Sequence, residues 1–356
     1  DVCSSDLAER ILHIANVLVG KMRGGLGVAN ILVSTMMGGV SASNLADAAM
    51  LSRMMVPEME RKGYNRAFAA AITAGGSLVT PIIPPGIALI IYGLVADVSI
   101  GKMFIAGLVP GLLCAVVLMF TVYLVARKTN AKPSRESWPT GKEVVFSLGQ
   151  AWPALFLIFA VVGGIRANIF TPTEAGAVAV LIVLAIGFFI YREMRISHVV
   201  KALGETARAT ASVMLVIMAS AALGWIFSME HAGVAVANFV TSLTENKYMF
   251  LLIINILLLT LGMFLEGNAI LLILVPLLKP VVEHFGIDPV HFGIIMIFNL
   301  SIGAFTPPVG TVMLLVCNIT QVSVGNFFKQ SLPLLAALLL MLMLVTYIPA
   351  ISLFLV

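Results

Sequence analysis

Four stretches of this chain, residues 103–126, 172–191, 209–228 and 332–356, are each apolar over 20 residues or more without interruption. A helix needs about 20 such residues to cross the hydrocarbon core of a bilayer. A membrane β-barrel is excluded, because its strands alternate apolar and polar residues and these runs are continuous. The rest of the chain agrees: 60% of its residues are hydrophobic and 11% charged, against about 45–50% and about 25% in soluble domains. An ordinary soluble globule, a disordered chain and a disulfide scaffold are excluded with the barrel. The chain reads as an all-α polytopic membrane protein, with residues 151–165 as a slightly short further span.

The remaining apolar stretches are interrupted. Residues 26–40 and 45–56 are each too short to span and are separated by Ser41-Ala42-Ser43-Asn44; residues 250–265 and 269–282 are separated in the same way by Glu266-Gly267-Asn268. Residues 67–96 and 292–318 are long enough to span but are broken by Pro81-Ile82-Ile83-Pro84-Pro85-Gly86 and by Thr306-Pro307-Pro308-Val309-Gly310. Paired prolines remove backbone donors and end a helix. The interruptions recur in register. Asn30-Ile31-Leu32 with Thr35 returns as Asn255-Ile256-Leu257 with Thr260, Gly38 and Asn44 return as Gly262 and Asn268, and Phe68 returns as Phe292. Pro84-Pro85 returns as Pro307-Pro308, Val98-Ser99-Ile100-Gly101 as Val322-Ser323-Val324-Gly325, and Phe104 as Phe328, every offset lying between 223 and 225. This is a tandem duplication.

Each split pair reads as a re-entrant hairpin with no net crossing. Five crossings then separate the two hairpins, and an odd number inverts the second copy relative to the first. The expected layout is a first repeat over 8–126, with hairpin 26–56, broken helix 67–96 and helix 103–126. A cytoplasmic linker over 127–150 follows. The second repeat covers 151–356, with scaffold helices 151–228, hairpin 249–283, broken helix 292–318 and helix 332–356. Under this layout one face carries 17 of the 21 Lys and Arg residues and the other 4, so the first face is cytoplasmic. The net charge of +4 therefore belongs to loops, and no nucleic-acid partner is expected. Residues 1–7 are set aside as a non-native leader. The second copy has about 75 residues more ahead of its hairpin than the first, so two to three helices are expected to precede this chain.

Interrupted helices expose backbone polar groups at membrane depth, which is tolerated only inside protein or along a polar cavity. Inverted repeats with breaks in matching places are the pattern of secondary transporters. Half-helices beginning near residues 45, 86, 269 and 309 would point positive N-terminal ends at the centre and suit a carboxylate; those ending near 40, 80, 265 and 305 would offer carbonyls to Na⁺. Candidate substrate residues are Ser41, Ser43, Asn44, Pro84, Pro85, Gly86, Asn268, Pro307, Pro308 and Gly310. Candidate Na⁺ residues are Gly39, Ser43, Asp47, Thr80, Glu266, Gly267, Thr306 and Thr311. Each also has a purely structural reading. Ser43, Asn44 and Glu266 can cap the helices that follow them, Asp47 can bond to backbone N–H groups of the tip, and the threonines can satisfy carbonyls freed at the breaks. Thr171-Pro172-Thr173-Glu174 reads as a helix start.

Gly38 to Ala48, Pro81 to Gly86, Phe170-Thr171-Pro172-Thr173-Glu174-Ala175, Gly262-Met263-Phe264-Leu265-Glu266 and Thr306 to Gly310 together resemble the large membrane subunit, DctM-like, of the tripartite ATP-independent periplasmic (TRAP) transporters. The resemblance runs from about Ala8 to the C-terminus, with Ala42 where such tips often have glycine. It implies an elevator-type fold of the ion-transporter superfamily in the bacterial inner membrane. It further implies Na⁺-driven import of an organic acid of the C4-dicarboxylate or sugar-acid class, without an enzymatic step or a resident cofactor. The implied partners are a small four-helix membrane subunit and a periplasmic substrate-binding protein. The alternative is an H⁺-coupled organic-anion carrier or antiporter of the same superfamily, with Asp47 and Glu266 carrying protons. An intramembrane enzyme is disfavoured, since His13, His198, His231, His284 and His291 all lie near expected helix ends or loops.

Overall fold

The structure is a computed structural model, and it describes residues 2–128, 133, 139–167, 169–190, 194–230 and 232–356. Among these residues every regular element is helical, and six helices are long and apolar enough to cross a membrane. In chain order they are α1 (Val2–Val19), α2 (Gly25–Ser41), α3 (Asn44–Arg61), α4 (Arg66–Ser77), α5 (Ile87–Ala96), α6 (Ile100–Lys128), α7 (Gly141–Arg166), α8 (Pro172–Ala185), α9 (Ile196–Met229) and α10 (Ala232–Leu243). Then follow α11 (Lys247–Phe264), α12 (Gly267–His284), α13 (Pro289–Phe305), α14 (Thr311–Thr320), α15 (Val324–Tyr347) and α16 (Ala350–Leu353). Helix α8 runs on into a π-helical turn over Ile186–Ile190.

The half-helices start where side chains can satisfy their first N–H groups. Asn65 Oδ1 accepts from Ala67 N at 2.9 Å ahead of α4, Asn246 Oδ1 from Tyr248 N at 2.8 Å ahead of α11, and Asp288 Oδ1 from Val290 N at 2.8 Å ahead of α13. Thr171 and Glu174 form a reciprocal capping pair at the start of α8, in the motif singled out above.

Helices α2 and α3 form hairpin 1, α4 and α5 broken helix 1, α11 and α12 hairpin 2, and α13 and α14 broken helix 2. Hairpin 1 packs on α4, and α11 packs along α13. Two side-chain bonds fix the relative direction of the broken helices. Arg66 at the start of α4 donates from Nε to Thr320 O at the end of α14, at 2.8 Å; Tyr92 near the end of α5 donates to Pro289 O at the start of α13, at 2.6 Å. Start meets end at both extremities, so the two broken helices are antiparallel, as the inverted duplication requires. The buried core lies between these elements and α6 and α15.

Several boundaries differ from the sequence-based expectation. Helix α7 begins at Gly141, inside the stretch read as a linker, because Glu143 accepts from the N–H of Thr140 at 3.1 Å and closes the first turn; residues 129–132 and 134–138 of that stretch lie outside the described residues. Helix α9 begins at Ile196, so residues 196–208 extend a span as helix instead of forming a loop. The last span ends at Tyr347, where Pro349 cannot continue the bonding and a single turn, α16, follows. Helix α10 had no counterpart in the sequence reading, and α1 includes most of the residues set aside as a leader. The outer faces of α7–α9 leave large apolar side chains such as Phe159, Leu181 and Met218 exposed, which is the surface a bilayer solvates.

Candidate functional site

Both hairpin tips lie at the level of the helix breaks. In the first copy, a Cβ placed on Gly38 would sit 3.1 Å from Thr80 Cα, so α2 approaches the end of α4 backbone to backbone. In the second, Gly310 N donates to Met263 O at 2.9 Å, tying the break to the tip. Gly262 and Gly303 touch in the same way: a Cβ on Gly303 would sit 2.6 Å from Gly262 Cα. Gly310 takes φ +37° to make its turn. The Pro84–Pro85 and Pro307–Pro308 peptide bonds are both cis.

The two tips meet across a central cavity of about 120 Å³. Its walls carry the first residues of four helices: Asn44 and Leu45 of α3, Ile87 and Ala88 of α5, Gly267 and Asn268 of α12, and Thr311 of α14. Each helix start carries the positive end of a backbone dipole and N–H groups without an intrahelical partner. Four of them around one space make it attractive to an anion. Among the described residues no Lys, Arg or His side chain lines it, and the one formal charge is Glu266. That carboxylate is engaged as the cap of α12. Its Oε2 accepts from Ala269 N at 3.0 Å and its Oε1 from Asn268 Nδ2 at 2.7 Å.

The cavity brings together Ser43, Asn44, Asn268, Glu266, Gly267 and Thr311 of the expected residues. Ser43 caps α3, its Oγ accepting from Ala46 N at 3.3 Å. The side chain of Ser41 lies outside the described residues. Pro84, Pro85, Gly86, Pro307, Pro308 and Gly310 do not line the cavity. They shape the breaks behind it, and a Cβ on Gly86 would collide with Pro81 O. Gly39 is buried and likewise away from the cavity wall. The Thr306 hydroxyl donates to Ile302 O at 2.8 Å, the structural reading. Residues of the wall outside the candidate set are Ala42, Leu45, Pro81, Ile87, Ala88, Leu271, Ile297, Leu300, Ser301 and Ala304. Four of these belong to α13, where a hydroxyl at Ser301 inside an apolar run was the available signal.

Asp47 and Thr80 form a separate spot behind the first tip. Asp47 is 1% exposed, accepts from Thr80 Oγ1 at 3.4 Å through Oδ2, and has no partner for Oδ1. The expected bond to tip backbone N–H groups is not made; the carboxylate turns toward α4 instead. Ser34 of α2 lies beside it. Among the described residues no three His, Cys, Asp or Glu side chains converge as a transition-metal site would need. The polar neighbours of Asp47 are the hydroxyls of Thr80 and Ser34.

Hairpin 2 is tied to its neighbours by a buried amide chain. Asn299 Nδ2 donates to Asn255 Oδ1 at 2.7 Å, and Asn255 Nδ2 donates to Thr346 Oγ1 at 3.0 Å. Asn255→Leu is expected to lower the unfolding free energy by about 1–2 kcal/mol, since both partners lose their bonds; thermal unfolding in detergent measures it.

The sequence matches the family described as the tripartite ATP-independent periplasmic transporter, DctM component, over residues 2–351. It is 39% identical to the C4-dicarboxylate TRAP transporter large permease protein of Pseudomonas aeruginosa, over 98% of this chain and 81% of that protein. It is also 39% identical to the sialic acid TRAP transporter large permease protein of Vibrio cholerae, over 99% of this chain and 82% of that protein. The 2,3-diketo-L-gulonate TRAP transporter large permease protein of Escherichia coli is 33% identical, over 96% and 80% respectively. With four half-helix starts on one central cavity and matches along nearly its whole length, the chain belongs to the DctM family, the large permease subunits of TRAP transporters.

Proposed function

We propose that this chain is the transmembrane subunit through which a TRAP-type importer of the bacterial inner membrane passes a carboxylate-bearing solute, coupled to Na⁺. The observation that carries the reading is the convergence of the α3, α5, α12 and α14 starts on one cavity without a basic side chain. Helix ends hold a carboxylate without the fixed charge of a lysine, so the bound anion can be released. The relatives named for C4-dicarboxylate, sialic acid and diketogulonate all concern carboxylates, and they favour that class of solute. A small four-helix membrane subunit and a periplasmic binding protein that delivers the solute complete the transporter. Asp47 and Thr80, one side of tip 1, are assigned to the coupling cation, which enters with the solute as cargo. Hairpins and broken helices interlock through glycine contacts and move together against α7–α9 in an elevator step.

The test is uptake by the complete transporter in proteoliposomes, with its binding protein outside and succinate or N-acetylneuraminate as solute. An inward Na⁺ gradient is expected to raise the initial rate at least tenfold over equal Na⁺ on both sides. Equal rates would overturn the coupling, and uptake that follows a pH gradient in Na⁺-free buffer would replace it with the H⁺-coupled alternative.

A further inference from the structure

Most polar side chains on the wall of the central cavity are already engaged within the protein. Ser43 caps α3, Glu266 caps α12, Asn268 Nδ2 donates to Glu266 Oε1 at 2.7 Å, and the Ser301 hydroxyl donates to Ile297 O at 2.8 Å. The Thr311 hydroxyl and the Asn44 amide also stand on this wall, and among the described residues neither has a hydrogen-bond partner. Asn44 is the first residue of α3 and Thr311 the first of α14. Helix α14 packs along α3, so the two free groups, one from each repeat, sit at neighbouring helix starts. Six other threonines behave differently. Thr35, Thr73, Thr121, Thr260, Thr306 and Thr320 each donate to the carbonyl four residues back, at 2.7–3.0 Å. That back-bond satisfies a hydroxyl away from water. Thr311 opens its helix, has no preceding turn to accept, and leaves its hydroxyl to whatever fills the cavity.

Another side of the cavity is apolar. Helix α12 packs along α5, and Ile87, Ala88 and Leu271 of these helices line the cavity with Leu300 of α13. Ile87 opens α5 as Thr311 opens α14, and it is 41% exposed, so its hydrocarbon is open to an occupant. The matching half-helix starts thus carry hydrocarbon in one repeat and a hydroxyl in the other. An occupant meets three chemistries here. The N–H groups of the helix starts suit a carboxylate. Thr311 and Asn44 can each donate and accept, so they fit a hydroxyl or an oxo group. The apolar side fits an aliphatic chain, and it would leave the hydroxyls of a polyol without partners.

We infer that Asn44 and Thr311 set the specificity of this cavity, and that its solute is a small aliphatic carboxylic acid with a hydroxyl or oxo group beside the carboxylate, of the 2-hydroxy or 2-oxo acid class. The substituent lies beside the carboxylate because the residues that read it open two of the helices whose N–H groups hold the carboxylate. A polyhydroxylated sugar acid fits the apolar side poorly. This inference rests on the carboxylate reading proposed above and narrows it.

The test uses the membrane complex of this chain with its small subunit, purified without the binding protein, so that the membrane site alone selects. Its unfolding midpoint in saturating Na⁺ is titrated with 2-hydroxy-4-methylpentanoate, with 4-methylpentanoate, which lacks the hydroxyl, and with gluconate, which carries a polyol chain. The half-maximal stabilising concentration of the 2-hydroxy acid is expected to be at least about tenfold below those of the other two, since a site built to bond a hydroxyl rejects the analogue without it. Thr311→Val keeps the shape and removes the hydroxyl; it and Asn44→Ala should each bring the 2-hydroxy acid to within about twofold of 4-methylpentanoate, and Thr311→Ser should restore the preference. Equal stabilisation by all three anions, tightest binding of gluconate, or a preference undiminished in both Thr311→Val and Asn44→Ala would overturn this inference and leave the carboxylate reading standing. Stabilisation by none of the three would overturn the carboxylate reading and this inference with it.

Discussion

Replacing Asp47 by asparagine is expected to raise the Na⁺ concentration for half-maximal uptake by about 10- to 100-fold, equivalent to about 1.4–2.7 kcal/mol of lost cation affinity. The carboxylate is buried, the Thr80 hydroxyl donates to its Oδ2 and the Ser34 hydroxyl lies beside it. Asparagine keeps the shape and one oxygen to accept from Thr80, while it removes the charge and replaces the other oxygen with an NH2 donor. The Na⁺ dependence of uptake should therefore shift while the thermal unfolding profile stays close to that of the unmodified chain. Glu266→Gln is the contrast. Both oxygens of Glu266 are committed to capping α12 and holding Asn268, so its loss should weaken solute binding and the cap more than the Na⁺ response. An unchanged Na⁺ half-saturation in Asp47→Asn, with a raised one in Glu266→Gln, would move the cation to the second tip.

Gly303→Leu is expected to destabilise the protein by about 3 kcal/mol, at the upper end of the usual cost of overpacking. A Cβ at this position would lie 2.6 Å from both Gly262 Cα and Gly262 C. The obstruction is backbone, so no side-chain rotation relieves it, and α11 must separate from α13. That separation strains the Asn255–Asn299 bond and the contact between Gly310 and Met263. A fall of about 4 °C in the unfolding midpoint is expected for a chain of this size, along with loss of uptake. Gly325→Ala, where an added Cβ meets nothing within 4 Å, should leave both unchanged. A Gly303→Leu variant as stable as the unmodified chain would contradict the close packing of these two helices.

The breaks and tips were legible in the sequence because the chemistry that interrupts a membrane helix is conspicuous in an apolar background. Paired prolines, Gly310, and the polar clusters at Ser43-Asn44 and Glu266-Gly267-Asn268 stand out for that reason, and the duplication made each visible twice. The antiparallel arrangement confirmed by Arg66 with Thr320 and Tyr92 with Pro289 followed from counting crossings. Elements at the membrane edge were less legible. Residues 141–150 and 196–208 are polar enough to resemble loops, yet they form helix, since a capped helix end in water tolerates charge that a span does not. Helix α10 was hidden because its 12 residues are too few to register as a span.

The sequence by itself determined the environment, the inverted duplication and the places where helices stop, because apolar length, charge bias and proline act locally along the chain. Which of the interrupting residues face the central space was decided only in three dimensions. Ser43, Asn44, Glu266 and Asn268 reach the cavity, whereas Pro84, Pro85, Pro307 and Pro308 stand behind it and Asp47 turns away toward Thr80. Residues such as Ser301 and Ile297 enter the cavity wall because α13 is packed with that side toward the tips. Periodicity along one helix cannot distinguish that side from any other in a helix apolar all round. The direction of a side chain is fixed by its neighbours from other elements, and here those neighbours come from the opposite repeat.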